Sequence, residues 1–205
     1  LDTVPRGTAE DVEAAVLSSK EAFRSWRKMG ANERTSLLHD VASRVRRHKG
    51  EIIRLLTLEE GKPLAENDEE VEWVANTFDY YAELGRHDRG RLIPPGEPSQ
   101  FNFILKEPYG VVGCIVPWNY PLLLMAWKVA PALAAGNTVV LKPSEMTPVI
   151  GLKIGELFRD AGFPPGVLNV IPALGADIGD SLVTDKRVKF VTFTGSSKVG
   201  RQIGA

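Results

Sequence analysis

The chain has 205 residues, 43% of them hydrophobic and 25% charged, which is the composition of an ordinary globular protein. The chain has 25 lysine and arginine residues and 26 aspartate and glutamate residues, so its net charge is −1. Binding to nucleic acid or to an anionic membrane requires concentrated positive charge, and this balance gives no indication of it. The single cysteine, Cys114, excludes an intrachain disulfide and favours a reducing compartment such as the cytoplasm.

The first part of the chain predicts four helices, because apolar side chains recur there at helical spacing up to about Gly85. Thr8 with Asp11 predicts a capping box at the start of the first helix, and Asn32 is a candidate cap for the second. A third helix over 51–60 is followed by glycine and proline, which end helices, and the fourth is expected to end at Gly85.

The segment after these helices is rich in proline and predicts a change of structure. Residues 91–98 include three prolines and predict a connector that is neither helix nor central strand. Residues 101–107 alternate enough between apolar and polar side chains to predict a strand, which could be an exposed one.

From residue 111 onward, short β-branched runs alternate with helical patterns. The runs predict strands over 111–116, 138–141, 167–171 and 188–193. The intervening segments predict helices over 121–135, 147–161 and roughly 175–183. Strands that alternate with helices indicate parallel βαβ units with right-handed crossovers, and therefore an α/β fold with a Rossmann-like sheet.

The strand-to-helix turns of this sheet hold the candidate functional residues, because open parallel sheets bind ligands at the carboxyl ends of their strands. Gly195 and Ser196, at a helix start, offer free N–H groups and a hydroxyl to a phosphate. Lys142 and Glu145 can bond a ribose diol as donor and acceptor. Glycines 175 and 179 leave room for a flat base near the backbone. In any one turn these residues could serve only to form the turn, but four such turns on one sheet edge favour a dinucleotide site.

Other common nucleotide and metal motifs are missing from the sequence. No Gly-x-Gly-x-x-Gly occurs, and Gly195 to Gly200 has the outer spacing of a P-loop but continues with Arg201-Gln202 instead of Lys-Ser/Thr. An ATPase of that class is therefore excluded. The histidines show no metal-ligand spacing, so no metal is assigned; they are His39, His48 and His87.

Several conspicuous side chains have plain structural interpretations. The acidic run 68–70 predicts a solvated first turn of a helix. Three tryptophans are expected in the core, Trp26, Trp73 and Trp127. Cys114 lies inside a predicted buried strand, where a free cysteine packs as a small hydrophobe.

The order of five motifs resembles the aldehyde dehydrogenase family. They are Gly-Val-Val-Gly-x-Ile-x-Pro-Trp-Asn-x-Pro, Trp-Lys-x-x-Pro-Ala-Leu-Ala-x-Gly-Asn, Lys-Pro-Ser-Glu, Gly-Phe-Pro-Pro-Gly-Val-x-Asn-Val and Phe-Thr-Gly-Ser. Their spacing is compatible with the family, the likeness covers essentially the whole chain, and the subtype is most similar to the betaine-aldehyde or general aldehyde group.

The resemblance implies roles at the matching positions. Asn119 would stabilise the oxyanion of a thiohemiacetal through its side-chain amide. Lys142 and Glu145 would hold the adenosine ribose, Gly195-Ser196 with Trp118 would border the pyrophosphate, and Gly175 and Gly179 would line the adenine. The complete set implied for the coenzyme is Ile115, Val116, Pro117, Trp118, Lys142, Ser144, Glu145, Gly175, Gly179, Phe193, Thr194, Gly195, Ser196 and Val199.

Two residues need separate interpretation within this resemblance. Lys128 is a charged residue on an otherwise apolar helix; it either snorkels to the surface or, as the resemblance implies, joins a proton relay with a later glutamate. Cys114 stands where the family usually has an aliphatic residue, so it does not inherit the nucleophile's role. The family's catalytic cysteine and general-base glutamate are expected beyond Ala205.

The resemblance also implies an aldehyde-dehydrogenase-like fold, truncated, with its catalytic domain outside this chain. Residues 1–96 would form the helical part of the coenzyme-binding domain, 97–109 a projecting oligomerisation hairpin, and 110–205 the Rossmann-like NAD-binding region. The sequence begins without Met and ends within an apparent helix, so both ends are expected to be cut.

The expected function is oxidation of a small-molecule aldehyde to a carboxylic acid with NAD, or alternatively NADP, by a homodimer or homotetramer. Two alternatives stay open. One is a non-catalytic nucleotide-binding or structural domain. The other is an acylating or phosphorylating relative that passes the acyl group to coenzyme A or phosphate.

Overall fold

The computed structural model describes residues 3–87 and 90–205, so residues 1–2 and 88–89 of the predicted helical part lie outside it. Residues 3–87 form helices α1 (Ala9–Trp26), α2 (Ala31–Arg47), α3 (Lys49–Glu60) and α4 (Leu64–His87). A ribbon of two short strands follows, β1 (Arg91–Ile93) and β2 (Asn102–Ile104). The remaining elements alternate: β3 (Val111–Ile115), α5 (Pro121–Ala134), β4 (Thr138–Lys142), α6 (Pro148–Asp160), β5 (Leu168–Val170), α7 (Gly175–Val183), β6 (Val188–Phe193) and α8 (Ser197–Gly204).

Capping residues and a glycine define the ends of the first three helices, and the sequence predicted some of them correctly. The capping box of α1 is confirmed, since Thr8 N–H donates to Asp11 Oδ2 at 2.8 Å. The predicted Asn32 cap is wrong: Glu33 accepts from the Gly30 N–H at 3.1 Å, and α2 begins directly after Gly30. The predicted end of α3 is confirmed, because Gly61 follows it in the left-handed region at φ +80°.

Helix α4 continues past Gly85, contrary to the prediction that it ends there. A Cβ at Gly85 would lie 3.2 Å from the Cβ of Ala134, at the end of α5. This glycine therefore permits the close packing of two helices and does not mark a stop.

The predicted connector over 91–98 is wrong for its first three residues. Strand β1 pairs antiparallel with β2, with Leu92 opposite Phe103, and the prolines come only after it ends. The predicted strand over 101–107 is shorter than expected, and both strands are exposed.

The predicted parallel α/β sheet is confirmed. Within the described residues its strand order is β5-β4-β3-β6, all parallel. Helices α5 and α6 cover one face together with α2, α3 and α4, and helices α1 and α7 cover the other. The central strands β3 and β4 consist largely of buried β-branched residues, as strands covered on both faces should, whereas β5 is half-buried and β6 is partly exposed.

The tryptophans divide between core and surface. Trp26 is fully buried, as predicted, but Trp73 and Trp127 are 45% and 55% exposed, so the prediction that they belong to the core is wrong. The latter two line a groove between α4 and α5 together with Tyr80 and Lys128. The helical spacing of these tryptophans did not distinguish a core face of a helix from an exposed aromatic face.

Among the described residues, no helix is both long and apolar enough to cross a lipid bilayer.

Candidate functional site

The ends of three neighbouring strands lie abreast at the carboxyl edge of the sheet. Ile115 is paired with Lys142 on one side and with Phe193 on the other. Backbone hydrogen bonds continue just past the strands, from Val116 N to Lys142 O at 3.2 Å and from Thr194 N to Ile115 O at 3.1 Å. The loops that follow β3, β4 and β6 therefore leave the sheet side by side.

The strand order places a topological switch point beside β3. The chain passes from β3 outward to β4 and β5, and α7 then leads it to β6 on the other side of β3. In open parallel sheets the ligand crevice forms where the strand order reverses in this way. In this sheet the strand order reverses between the loop 116–120 and the loop 194–196.

The loop after β3 presents Asn119 and Trp118 to the open side. Both residues are exposed, and the side-chain amide of Asn119 has no hydrogen-bond partner in residues 3–87 or 90–205. Its backbone oxygen does accept a bond from Lys62 Nζ at 3.5 Å. The loop is thus held through its main chain while the amide N–H groups remain available as donors.

The loop after β4 brings Lys142 and Glu145 together. Lys142 Nζ lies 3.5 Å from Glu145 Oε2 and donates to the carbonyl of Pro143 at 2.9 Å. The lysine is buried, which lowers the pKa of its amine despite the nearby carboxylate, whereas Glu145 is exposed. Ser144, predicted with them, is buried and accepts the Met146 N–H, so it shapes the loop.

The loop after β6 leads directly into the N-terminus of α8. Ser196 caps the helix by accepting the Val199 N–H at 3.3 Å, which leaves its hydroxyl hydrogen free to donate. Gly195 lies under the ring of Phe193, since a Cβ there would be 2.5 Å from Cζ of that ring. A side chain at this turn would have to displace the Phe193 ring, so the turn favours glycine, and Thr194 before it bonds the carbonyl of Ile115 at the edge of the sheet.

Helix α7 presents Gly175 and Gly179 one turn apart. Apart from the chain neighbours and the nearby backbone of the helix, no atom of the described residues lies within 4 Å of the Cβ position at either residue, so packing against the rest of the described chain does not require glycine there. The space at these two positions is open, and the start of α7 lies after β5 on the same edge as the other loops. A planar group could approach the backbone closely at this point.

Two further residues singled out in the sequence have clear positions. Lys128 is half-buried on α5, its Nζ donates to Thr192 Oγ1 at 3.3 Å, and burial lowers the pKa of its amine. Cys114 is fully buried in β3, and burial raises the pKa of its thiol to about 12. The packing interpretation of Cys114 is thus supported, since a buried neutral thiol is a poor nucleophile.

Sequence reasoning missed a buried charge cluster below the Asn119 loop. Glu70, expected on a solvated face, is fully buried, so that expectation is wrong for this residue. Lys62 Nζ bonds Glu70 Oε2 and lies 3.1 Å from Glu60 Oε1. Burial raises the pKa of Glu60 to about 7. The signal for Glu70 was its helical spacing with the core residues Val74 and Phe78, which places it on the buried face of α4.

The described residues contain no group of three or more His, Cys, Asp or Glu side chains arranged to hold a metal ion. The groups at this edge of the sheet are suited to polar recognition of a ligand. It provides a buried amine with an exposed carboxylate, a side-chain amide that has no hydrogen-bond partner among the described residues, and the N-terminus of α8.

Comparisons with known proteins find aldehyde dehydrogenases along the whole chain. A family model described as "Aldehyde dehydrogenase family" matches residues 1–205. Aminoaldehyde dehydrogenase 2 from Zea mays is 45% identical over 99% of this chain and 42% of its own length. A structure of betaine aldehyde dehydrogenase from Staphylococcus aureus in complex with NAD⁺ matches with a TM-score of 0.97 and 40% identity, over 100% of this chain and 41% of that one.

A third similar structure, an NADP-dependent enzyme from E. coli, has a TM-score of 0.98 and 37% identity over 100% of this chain and 42% of its own. The chain therefore spans about 42% of the length of the relatives that it matches.

Proposed function

The chain belongs to the aldehyde dehydrogenase family, and from this premise we propose that the full-length protein oxidises an aldehyde to a carboxylic acid with NAD⁺ or NADP⁺. The observation behind this proposal is the position of Asn119. Its side-chain amide has no hydrogen-bond partner among the described residues and lies at the switch point of the sheet, next to the loops suited to a dinucleotide. A donor fixed at that point suits an oxyanion formed beside the nicotinamide.

The residues of this edge fit a bound dinucleotide. Glu145 would accept from the adenosine ribose and Lys142 would donate to it, while the N–H groups at the start of α8, with Ser196 and Trp118, would border the pyrophosphate. The open backbone at Gly175 and Gly179 leaves space for adenine. The bound coenzyme would supply the hydride acceptor.

The remaining predicted coenzyme residues have supporting roles in this proposal. They lie at the strand ends, within the loops or in the first turn of α8, and are Ile115, Val116, Pro117, Ser144, Phe193, Thr194 and Val199. Lys128 is proposed to move protons near the reacting centre. Its half-buried amine with a lowered pKa supports that role, and its bond to Thr192 would orient it.

We propose the domain organisation expected from the sequence, with one adjustment at the ribbon. The expected division is 1–96, 97–109 and 110–205. Because β1 pairs with β2, we assign the helical part before β1 together with 110–205 to the coenzyme-binding domain, and residues from β1 onward up to 109 to the projecting hairpin. Its exposed apolar side chains, such as Leu92 and Phe103, support subunit association as a homodimer or homotetramer. The single buried cysteine supports a reducing compartment such as the cytoplasm.

The proposed reaction is tested with the purified full-length protein. Incubation with an aldehyde and NAD⁺ should produce NADH and one equivalent of carboxylic acid without any further acceptor. Binding of NAD⁺ without turnover for any aldehyde of a broad panel would instead indicate a non-catalytic nucleotide-binding protein. NADH formation that requires coenzyme A or phosphate would indicate an acylating or phosphorylating enzyme.

We also predict that the full-length enzyme prefers NAD⁺ to NADP⁺. A carboxylate at Glu145 accepts a ribose hydroxyl but repels a 2′-phosphate, by about 4 kcal/mol per unit charge at 4 Å with an effective dielectric constant of 20. Solvent screening at this exposed side chain reduces that figure. Glu145→Gln is expected to lower the ratio of kcat/KM for NAD⁺ to that for NADP⁺ by about tenfold. The exposed Glu66→Gln serves as the control. A lower KM for NADP⁺ in the unmodified enzyme would contradict this prediction.

A further inference from the structure

Helices α5 and α6 begin in the same way, without a side-chain cap of their own. Each has proline at its first position, Pro121 and Pro148, and neither N-cap residue makes a side-chain cap bond. The first N–H groups of a helix need acceptors from outside it. Both helices receive them from glutamates that lie far away in sequence, at either end of the α3–α4 junction.

Glu70 provides the acceptor for α5. Its Oε1 accepts from Leu122 N at 3.1 Å and from Leu123 N at 3.0 Å, the first two available donors after Pro121. Its Oε2 accepts from Lys62. The carboxylate is fully buried, so no water replaces these bonds when one is lost.

Lys62 extends the contact from Glu70 to the loop itself. Its Nζ donates to the backbone oxygen of Asn119 at 3.5 Å and lies 4.0 Å from the ring centroid of Tyr120. Glu60, 3.1 Å from the same amine, completes the cluster. Lys62 and Glu70 together therefore contact Asn119, the residue after it and the first turn of the helix that follows.

Glu59 makes the equivalent contact with α6. Its two oxygens accept from Val149 N at 2.6 Å and from Ile150 N at 2.9 Å. Helix α6 follows directly after the loop that contains Lys142 and Glu145. The two glutamates therefore hold two different loops of the site, one with the oxyanion donor and one with the ribose-binding pair.

We propose that Glu70 and Lys62 are positioning residues for Asn119, and that Glu59 is the positioning residue for the Lys142–Glu145 loop. This inference rests on the proposed function. The α3–α4 junction thus fixes both loops against one rigid helical layer. Because a displacement of about 1 Å in a catalytic group can cost about 10²-fold in rate, removing either contact should be visible in the kinetics.

The two contacts should affect different kinetic constants. In the full-length enzyme, Glu70→Gln is expected to lower kcat about 10- to 100-fold and to leave the Kd for NAD⁺ within about threefold, since it disturbs the oxyanion donor. Glu59→Gln is expected to raise the Kd for NAD⁺ about tenfold, with a smaller effect on kcat. Glu69→Gln is the matched control, because Glu69 is exposed next to Glu70 and should leave both constants unchanged.

A double-mutant cycle separates positioning from general destabilisation. If Glu70 acts through Asn119, then Glu70→Gln should have less than about a threefold effect on kcat in an Asn119→Ala background. Full additivity of the two substitutions would overturn the proposal for Glu70. Lys62→Gln keeps the helix cap and removes the contact with the loop, so it provides the same test if Glu70→Gln does not fold.

Hydrogen exchange provides a readout that does not depend on turnover. Glu70→Gln should increase amide exchange in peptides covering 117–124, and Glu59→Gln in peptides covering 144–151, each without affecting the other segment. Unchanged exchange in both variants would overturn the positioning roles even in an active enzyme. An enzyme without aldehyde oxidation that still shows these two local changes would overturn the proposed function alone.

Discussion

Replacing Asn119 by alanine is expected to lower kcat of the full-length enzyme about 10²- to 10³-fold, because one oxyanion donor is lost. The Kd for NAD⁺ should remain within about threefold, since the side chain of Asn119 is not among the groups proposed to hold the coenzyme. Both constants are measured directly, kcat from initial NADH formation at saturating aldehyde and Kd by calorimetry.

The physical reason is that the Asn119 amide has no partner in the described residues, while its backbone is anchored by Lys62. Such a donor needs little reorganisation when negative charge develops on the aldehyde oxygen. The interaction is stronger in the transition state than in the ground state, so its removal lowers kcat more than it raises KM.

One further substitution tests whether Asn119 acts as a hydrogen-bond donor or only through its size, and a second serves as a control. Asn119→Asp keeps the size of the side chain but replaces the donor by a carboxylate, so kcat should fall at least as far as in Asn119→Ala. Asn32→Ala removes an exposed asparagine far away in sequence and should leave both constants unchanged. A variant of Asn119 that loses NAD⁺ binding but keeps turnover would show that the assigned role is wrong.

The sheet was predictable from sequence because its signals are local. Runs such as 111–116 and 188–193 combine β-branched residues with glycine or polar turns, and the helices between them have clear periodicity. The parallel arrangement follows from that alternation. Since parallel strands share one carboxyl edge, the sequence alone predicts that the loops with Asn119, Lys142 and Ser196 lie together.

The parts that sequence did not predict depend on which face of an element is covered. Glu70 looked like a solvated acid, but its helical position places it in the core, where its partners Leu122 and Leu123 are some fifty residues away. Trp127 looked like a core residue but lies in an exposed groove. Hydrophobicity alone does not predict a buried carboxylate, because the bonds that offset its burial come from tertiary structure.

Gly85 shows the same limit for backbone signals. Glycine after a helical pattern usually marks a helix end, yet here it allows α4 to pass close to Ala134. A glycine that serves a turn and one that serves close packing are identical in sequence. Only the neighbouring element distinguishes them. The same holds for the turn glycines, since a Cβ at Gly195 would meet the Phe193 ring whereas a Cβ at Gly175 would point into open space.

Residues 1–205 produced alone are expected to form no NADH from an aldehyde and NAD⁺, whereas the full-length protein is expected to form it. An aldehyde hydrogen becomes hydridic only after a nucleophile has added to the carbonyl. The only thiol in this sequence, Cys114, is fully buried within β3, and burial raises the pKa of that thiol to about 12. At neutral pH essentially no thiolate would form, and no substrate could reach it.

The decisive comparison combines the isolated chain with a substitution in the full-length enzyme. NADH formation by residues 1–205 is measured with excess aldehyde, after circular dichroism has shown that the chain is folded, and is repeated with Cys114→Ser. In the full-length enzyme, Cys114→Ala should keep kcat within about threefold, because the residue contributes packing and not chemistry. Turnover by the isolated chain that disappears in Cys114→Ser would make Cys114 the nucleophile. Because β3 leads directly into the Asn119 loop, such a result would also require that strand to open, so it would contradict the rigid edge on which the site is built.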